Sequence, residues 1–166
     1  MKKIQGFTLI ELVVVIAILA ILASFALPKF ADLSDSAHEA SVQSTGGSFV
    51  SAVNLVRAQW LANGVRNTVE NLPGYGDPNV IDVSIDGWPT GVDGTTTVAG
   101  MDVADCRDLW VELMTTSSIS VSASAGEDYL VSFAGGECRY TYQATTNGHN
   151  IEYDPTTGNV YVNIVP

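Results

Sequence analysis

The feature that most constrains this chain is an apolar run from Phe7 to Leu27 that contains one carboxylate, Glu11, near its start. The run matches the roughly 20 residues that an α-helix needs to cross the hydrocarbon core of a bilayer. A charged side chain at the centre of such a helix costs about 2.5–3.5 kcal/mol on insertion scales. The sequence therefore predicts a membrane-spanning helix whose acidic residue must have a specific role.

The basic residues Lys2 and Lys3 precede the run, so we expect its start to stay in the cytoplasm and the following chain to cross the membrane. The alternative is a cleaved secretory signal, with a small-x-small site at Ser24-Phe25-Ala26. The apolar core exceeds the roughly 7–15 residues usual in such signals, and an internal acid would hinder insertion. These two arguments favour an uncleaved span and leave the cleaved signal as the alternative.

The stretch KKIQGFTLIEL resembles the N-terminus of type IV pilins and of the related pseudopilins. In that family a prepilin peptidase cuts between a glycine and a phenylalanine and methylates the new amine, which here implies a cut between Gly6 and Phe7. The resemblance extends to Pro28, a position where family members bend their long helix. It also implies that Glu11 meets the amine of an adjoining subunit during assembly, since a buried charge is tolerated when it is paired. The alternative is that Glu11 snorkels to the cytoplasmic headgroups.

Beyond Pro28 the apolar residues keep a helical period, and Asn63-Gly64 is a typical helix end. We expect one helix from about residue 7 to residue 63, kinked at Pro28, with a protruding first half and a second half that packs on a globular head. The core-facing stripe of this second half is predicted to consist of Phe49, Val53, Val56 and Trp60.

The rest of the chain alternates turn residues with short runs that have strand character. A short helix, with Asp102 as its N-cap, is expected to interrupt these strands. Its inward or partly inward side chains are predicted to be Val103, Cys106, Leu109, Trp110 and Leu113. The predicted strands are 80–85, 119–123, 129–133, 138–144 and the two runs NIEY and NVYVNIV, which a hairpin loop at 154–158 connects. Short turns favour an antiparallel sheet that the helix from Phe30 to Trp60 covers, so the predicted class is α+β. The resemblance implies that this α+β arrangement is a type IV pilin fold.

Together with the resemblance, which implies a leader peptide and a filament-core role for the apolar helix, these elements predict three parts: a leader, a transmembrane and filament-core helix, and a head. The predicted boundaries are 1–6, 7–29 and 30–166, and the head divides into an amphipathic helix half (30–63) and a loop and sheet region (64–166). The only cysteines, Cys106 and Cys138, follow the predicted export segment, so we expect them to form one disulfide in an oxidising compartment.

The composition excludes several functions. The formal net charge is −11, and the basic residues beyond the leader are scattered, so nucleic acid is excluded as a partner. The sequence contains none of the common catalytic or nucleotide-binding motifs, which predicts a protein that is not an enzyme and has no cofactor. We expect His38 and His149 to be solvated. Asp102, Asp105 and Asp108 could offer oxygens to calcium, but their spacing on a helix favours a cap or a solvated face, so no metal is predicted.

The resemblance implies a structural subunit of a type IV pilus, made as a single-pass inner-membrane precursor with a periplasmic head and then displayed on an extracellular filament that supports adhesion. The stretch ALPKFADLSDSAHEASVQS and the turn DGWPTG look most like mannose-sensitive haemagglutinin (MSHA) pilins. The implied partners are other pilin subunits, the prepilin peptidase/methyltransferase, the inner-membrane assembly machinery and membrane lipid. Two alternatives are a type II secretion pseudopilin and a secreted enzyme or binding protein with an atypical signal peptide.

Overall fold

A computed structural model describes residues 7–76, 78, 80–115 and 117–165. The predicted leader, including Gly6, lies outside the described residues. The chain divides into two compact units between His38 and Glu39, and each is described separately below.

Helix α1 extends from Leu9 to Ala62 and contains Pro28 in its interior. It ends where the Gly64 N–H donates to the Leu61 carbonyl at 3.1 Å, with Gly64 at a φ of 68°. A glycine adopts this left-handed conformation without the steric cost of a Cβ atom, which is why helices often end there. The predicted helix and its C-terminal boundary are confirmed, whereas the kink at Pro28 remains a prediction.

The first unit contributes the apolar part of α1. This part includes an 18-residue window with a mean hydropathy of 2.9, none of which is buried, so the helix has the length and composition to cross a membrane. The large apolar side chains between Leu9 and Leu33 are exposed around the helix. A helix that is apolar on every face requires lipid or protein around it.

The second unit, the head, contains a mixed sheet of five strands in the order β3-β4-β5-β6-β7 and a two-stranded sheet of β1 and β2. Its elements after α1 are β1 (Asp82–Val83), β2 (Pro89–Gly91), a 3-10 turn (Val98–Gly100), α2 (Val103–Leu113), β3 (Val121–Ser122), β4 (Tyr129–Ala134), β5 (Glu137–Tyr142), β6 (Asn150–Asp154) and β7 (Asn159–Asn163). The long helix together with a mainly antiparallel sheet confirms the α+β class and the type IV pilin fold.

The sheet departs from the prediction at one edge, because β3 pairs with β4 in parallel. The direction of this short edge pair is not visible in the alternation of residues. The predicted turn DGWPTG is also shorter than expected, since its last three residues form β2. In α2, Val103 is 36% exposed and therefore only partly inward, whereas the other four predicted inward residues are buried.

The core of the head is built around Phe49 of α1. Its ring lies 5.6 Å from Trp110 of α2, 5.4 Å from Tyr140 of β5 and 5.7 Å from Tyr153 of β6, measured between ring centroids. The tilted and edge-on arrangements are those that aromatic quadrupoles favour. The predicted stripe of Phe49, Val53, Val56 and Trp60 is buried and therefore confirmed.

Within the head, the buried stripe of α1 begins at Val42, its first fully buried residue. The amphipathic pattern after Pro28 predicted cover for the sheet from Phe30 onward. The part of this cover between Phe30 and His38 stays a prediction, because these residues belong to the first unit. A spacing pattern shows which residues share a face of the helix, but it cannot show how far along the helix the head reaches.

The disulfide between Cys106 and Cys138 is present and connects α2 to β5, as predicted. The Tyr140 hydroxyl donates to the Cys106 carbonyl at 2.7 Å, so a buried hydrogen bond connects the same two elements. Burial raises the pKa of Tyr140 above its ordinary value, so the phenol remains a donor at physiological pH. Helix α2 ends at Leu113.

Candidate functional site: the start of helix α1

The first turn of α1 contains a reciprocal hydrogen-bond pattern between Thr8 and Glu11. The backbone N–H and the hydroxyl of Thr8 donate to Glu11 Oε2 at 2.8 and 2.7 Å, and the Glu11 N–H lies 3.3 Å from Thr8 Oγ1. Thr8 therefore occupies the N-cap position, and Glu11 occupies the third helical position. This is a capping box, which satisfies N–H groups that have no partner within the helix.

The capping box gives Glu11 a role that its position in an apolar run did not reveal. A negative charge in the first turn interacts favourably with the positive end of the helix dipole. The sequence signal was present, because Thr8-Leu9-Ile10-Glu11 matches the Ser/Thr-x-x-Glu signature of a capping box. The prediction from sequence considered Glu11 without Thr8 and so missed Thr8 as its capping partner.

The carboxylate has capacity for a further partner. Both Thr8 donors reach the same oxygen, Oε2, and within the described residues no hydrogen bond to Oε1 is found. An ionised carboxylate offers about four lone-pair sites on its two oxygens. A second donor, such as an amine, can therefore bind Glu11 while Thr8 stays in place.

Of the predicted processing and assembly residues, the structure places Phe7 and Glu11 at the first turn of α1. Phe7 is exposed next to the N-cap, and Glu11 lies one turn further along. Gly6 lies outside the described residues, so the bond between Gly6 and Phe7 is not described. Pro28 lies far along α1, and the disulfide belongs to the head.

The acidic residues considered as calcium ligands have other partners. Asp102 caps α2 by accepting from the Ala104 and Asp105 N–H groups, and Asp105 accepts from the Asp102 N–H at 2.8 Å. Asp108 pairs with Arg107. Burial raises the pKa of the Asp105 carboxyl. Across the described ranges no group of three or more His, Cys, Asp or Glu side chains is placed to hold a metal ion.

The structure corrects the interpretation of His149, which was expected to be solvated. The side chain is 2% exposed, and its Nδ1 accepts from the Val165 N–H at 3.1 Å. The turn residues around it predicted exposure, but the imidazole packs inward where β6 begins. His38 of α1 is only partly exposed.

Comparisons with known proteins agree with this architecture. The family model of the prokaryotic N-terminal methylation motif matches residues 1–27. The chain is 37% identical over 101 residues to the type IV narrow pilus major component PilA5 of Thermus thermophilus, an alignment that covers 61% of this chain and 82% of that protein. No solved structure gives a significant match.

The long apolar helix, the sheet-based head and the N-terminal motif define a pilin. The chain belongs to the type IV pilin family, a family of structural proteins. The comparisons do not distinguish an MSHA-type pilin from other members.

Proposed function

We propose that this chain is a filament subunit that is cleaved between Gly6 and Phe7, N-methylated at Phe7 and assembled through the apolar half of α1, with Glu11 as the residue that sets subunit register. The observation that carries the proposal is the capped carboxylate at the start of an exposed apolar helix. Thr8 holds Glu11 Oε2, which leaves Oε1 for the amine that cleavage would create on a neighbouring subunit.

The energetics support this role. An unpaired carboxylate in hydrocarbon is costly, and pairing with an amine lowers that cost most where water is excluded. The capping box offsets part of the cost of placing this carboxylate in hydrocarbon, so a single precursor subunit can remain in the membrane before assembly. Assembly then supplies the opposite charge, which favours the one stagger at which amine and carboxylate meet.

The precursor would sit in the inner membrane with a cytoplasmic N-terminus and a periplasmic head, where the prepilin peptidase/methyltransferase and the assembly machinery would act on it. The finished filament would lie outside the cell and support attachment to surfaces. The similarity to a pilus major component favours a pilus over a type II secretion pseudopilus. The MSHA-type identity remains part of this proposal.

The test compares Glu11→Val with Glu11→Gln in cells that make the filament. Glutamine can also occupy the third position of a capping box, so Glu11→Gln keeps the cap and removes only the charge. We expect mass spectrometry to show cleavage before Phe7 in both variants and electron microscopy to show few filaments in either. The unsubstituted chain should carry a methylated Phe7 amine.

Three results would contradict the proposal in different ways. Normal filaments from Glu11→Gln, with none from Glu11→Val, would assign the carboxylate to helix capping alone. Normal filaments from both variants would show that assembly does not need Glu11, as expected if its side chain only snorkels to the cytoplasmic headgroups. A mature chain that begins near Leu27 would instead identify the apolar run as a cleaved secretory signal.

A further inference from the structure

The Asn-Gly and Asp-Gly pairs of the head differ in whether the glycine N–H makes a hydrogen bond. In such pairs the glycine nitrogen can attack the preceding side-chain carbonyl, because glycine lacks the Cβ that would obstruct the approach. The attack requires a glycine N–H that is free to lose its proton and to rotate toward that carbonyl. The chain has four such pairs, Asn63-Gly64, Asp86-Gly87, Asp93-Gly94 and Asn147-Gly148.

Three of the four glycine N–H groups are engaged. The Gly64 N–H donates to Leu61 O at 3.1 Å and the Gly87 N–H to Ser84 O at 2.9 Å. The Gly94 N–H donates to Asp82 Oδ2 at 2.6 Å. Each of these bonds must break before the nitrogen can act as a nucleophile.

The pair Asn147-Gly148 differs from the others. Asn147 is exposed in the turn between β5 and β6, and Gly148 has a φ of 82°. Among the described residues, neither the Asn147 side chain nor the Gly148 N–H makes a hydrogen bond. The Asn63 side chain, in contrast, accepts from Gln59 at 2.8 Å and donates to the Pro73 carbonyl at 2.8 Å.

We propose that Asn147 is a site of spontaneous deamidation. The deprotonated Gly148 nitrogen attacks Asn147 Cγ, a C–N bond forms, and the side-chain nitrogen leaves as ammonia to give a succinimide. One water then opens the ring. Attack at Cγ yields aspartate, and attack at the main-chain carbonyl yields isoaspartate, so the net change is water consumed and ammonia released.

The product changes the head at a defined place. Either opening adds one negative charge to a chain whose formal charge is already −11. Isoaspartate also inserts a methylene into the main chain of a turn that is closed by the Tyr142 N–H bond to His149 O at 2.9 Å. Subunits would therefore acquire charge and turn heterogeneity with age, at one position and without an enzyme.

The test follows both asparagines in the same molecule. The full chain is incubated in detergent micelles at neutral and mildly alkaline pH, and peptide mass spectrometry separates Asn, Asp and isoAsp. We expect Asn147 to convert at least about fivefold faster than Asn63, the factor that one ordinary hydrogen bond supplies. The rate at Asn147 should rise with pH, because the attacking nitrogen must lose its proton.

Two controls make the outcome decisive. In denatured chain both asparagines should convert at similar rates, which shows that the folded structure causes the difference. Asn147→Gln leaves Gly148 and its positive φ unchanged and should abolish the acidic species seen on isoelectric focusing. An intact Asn147 after the denatured chain has converted, equal rates at the two sites in folded protein, or an acidic species that persists in Asn147→Gln would overturn the proposal.

Discussion

The two halves of α1 are parts of one helix, but they satisfy their apolar side chains in different ways. From Leu9 to His38 the large apolar residues are exposed on every side. From Val42 to Trp60 most of them form one buried stripe within the head, and the opposite side, apart from the exposed Leu55, is mostly polar or small. The two halves have the same backbone hydrogen bonding, so this bonding does not determine which environment each half requires. The side chains determine it.

This difference separates two functions within one element. The second half is already covered by its own chain, so it supports a folded head. The first half has its cover outside the described monomer, in lipid or in other subunits, which agrees with a family whose members form filaments.

The strongest test removes the first half. A fragment that begins at Phe30 should fold as a soluble, disulfide-containing monomer, because the buried stripe and its partners all lie after Val42. Filaments should be lost entirely. Light scattering should give the monomer mass and circular dichroism a mixed helix and sheet spectrum.

An aggregated or unfolded fragment would show that the head depends on the deleted half. Filaments from the fragment would show that the assembly surface does not lie on the deleted first half of α1. A second fragment that begins at Glu39, the boundary of the compact unit, tests whether exposed Phe30 and Leu33 cause any association that the first fragment shows.

Within the head, Phe49→Ala should lower the free energy of unfolding by about 3–5 kcal/mol, since it removes a fully buried ring that three aromatic side chains surround. Leu55→Ala on the same helix is the matched control. Leu55 is 62% exposed, so its change should stay within about 0.5 kcal/mol. Urea unfolding of the soluble fragment measures both, and similar losses would mean that the buried stripe is wrongly placed.

The neighbouring glycines Gly46 and Gly47 lie on two different faces of the helix, one against the sheet and one in open space. A Cβ on Gly46 would collide with the Val162 side chain of β7, whereas a Cβ on Gly47 meets open space. Gly46→Ala should therefore cost about 1–2 kcal/mol, since overpacking outweighs the gain in helix propensity. Gly47→Ala should stabilise by about 0.5–1 kcal/mol. Thermal unfolding should show opposite signs, and equal signs would contradict the close contact between α1 and β7.

The smallest expected effect is the pH dependence of the β3 edge. The backbone N–H and the hydroxyl of Ser120 both donate to Asp128 at 2.8 Å, and these bonds lower the pKa of its carboxyl. The stabilisation is present above the ordinary aspartate pKa of about 3.9 and is lost as the pH falls through the lower folded value.

Asp128→Asn should thus destabilise the head at neutral pH, and its difference from the unsubstituted head should shrink on acidification below about pH 4. Urea midpoints measured across this range test the prediction. Ser120→Ala serves as the control, because it removes the hydroxyl donor and should weaken the same pH dependence. A difference that is constant with pH would show that the Asp128 charge does not matter.

The sequence by itself determined the features that neighbouring residues encode. The apolar run, the stripe at helical spacing, the cap of α2 at Asp102 and the hairpin turn at 154–158 each depend on residues within a few positions of one another. Even the capping box of Thr8 and Glu11 was readable, because its signature is local. The disulfide was also predictable, since the chain has only one pair of cysteines.

The tertiary structure decided what depends on distant partners. The parallel pairing of β3 with β4, the burial of His149 and the burial of the α1 stripe from Val42 onward all follow from which segments meet in space. The same holds for the glycines. Gly46 and Gly47 are identical in sequence terms, and so are Asn63-Gly64 and Asn147-Gly148. Packing against β7 separates the first pair, and hydrogen bonds that only the folded chain forms separate the second.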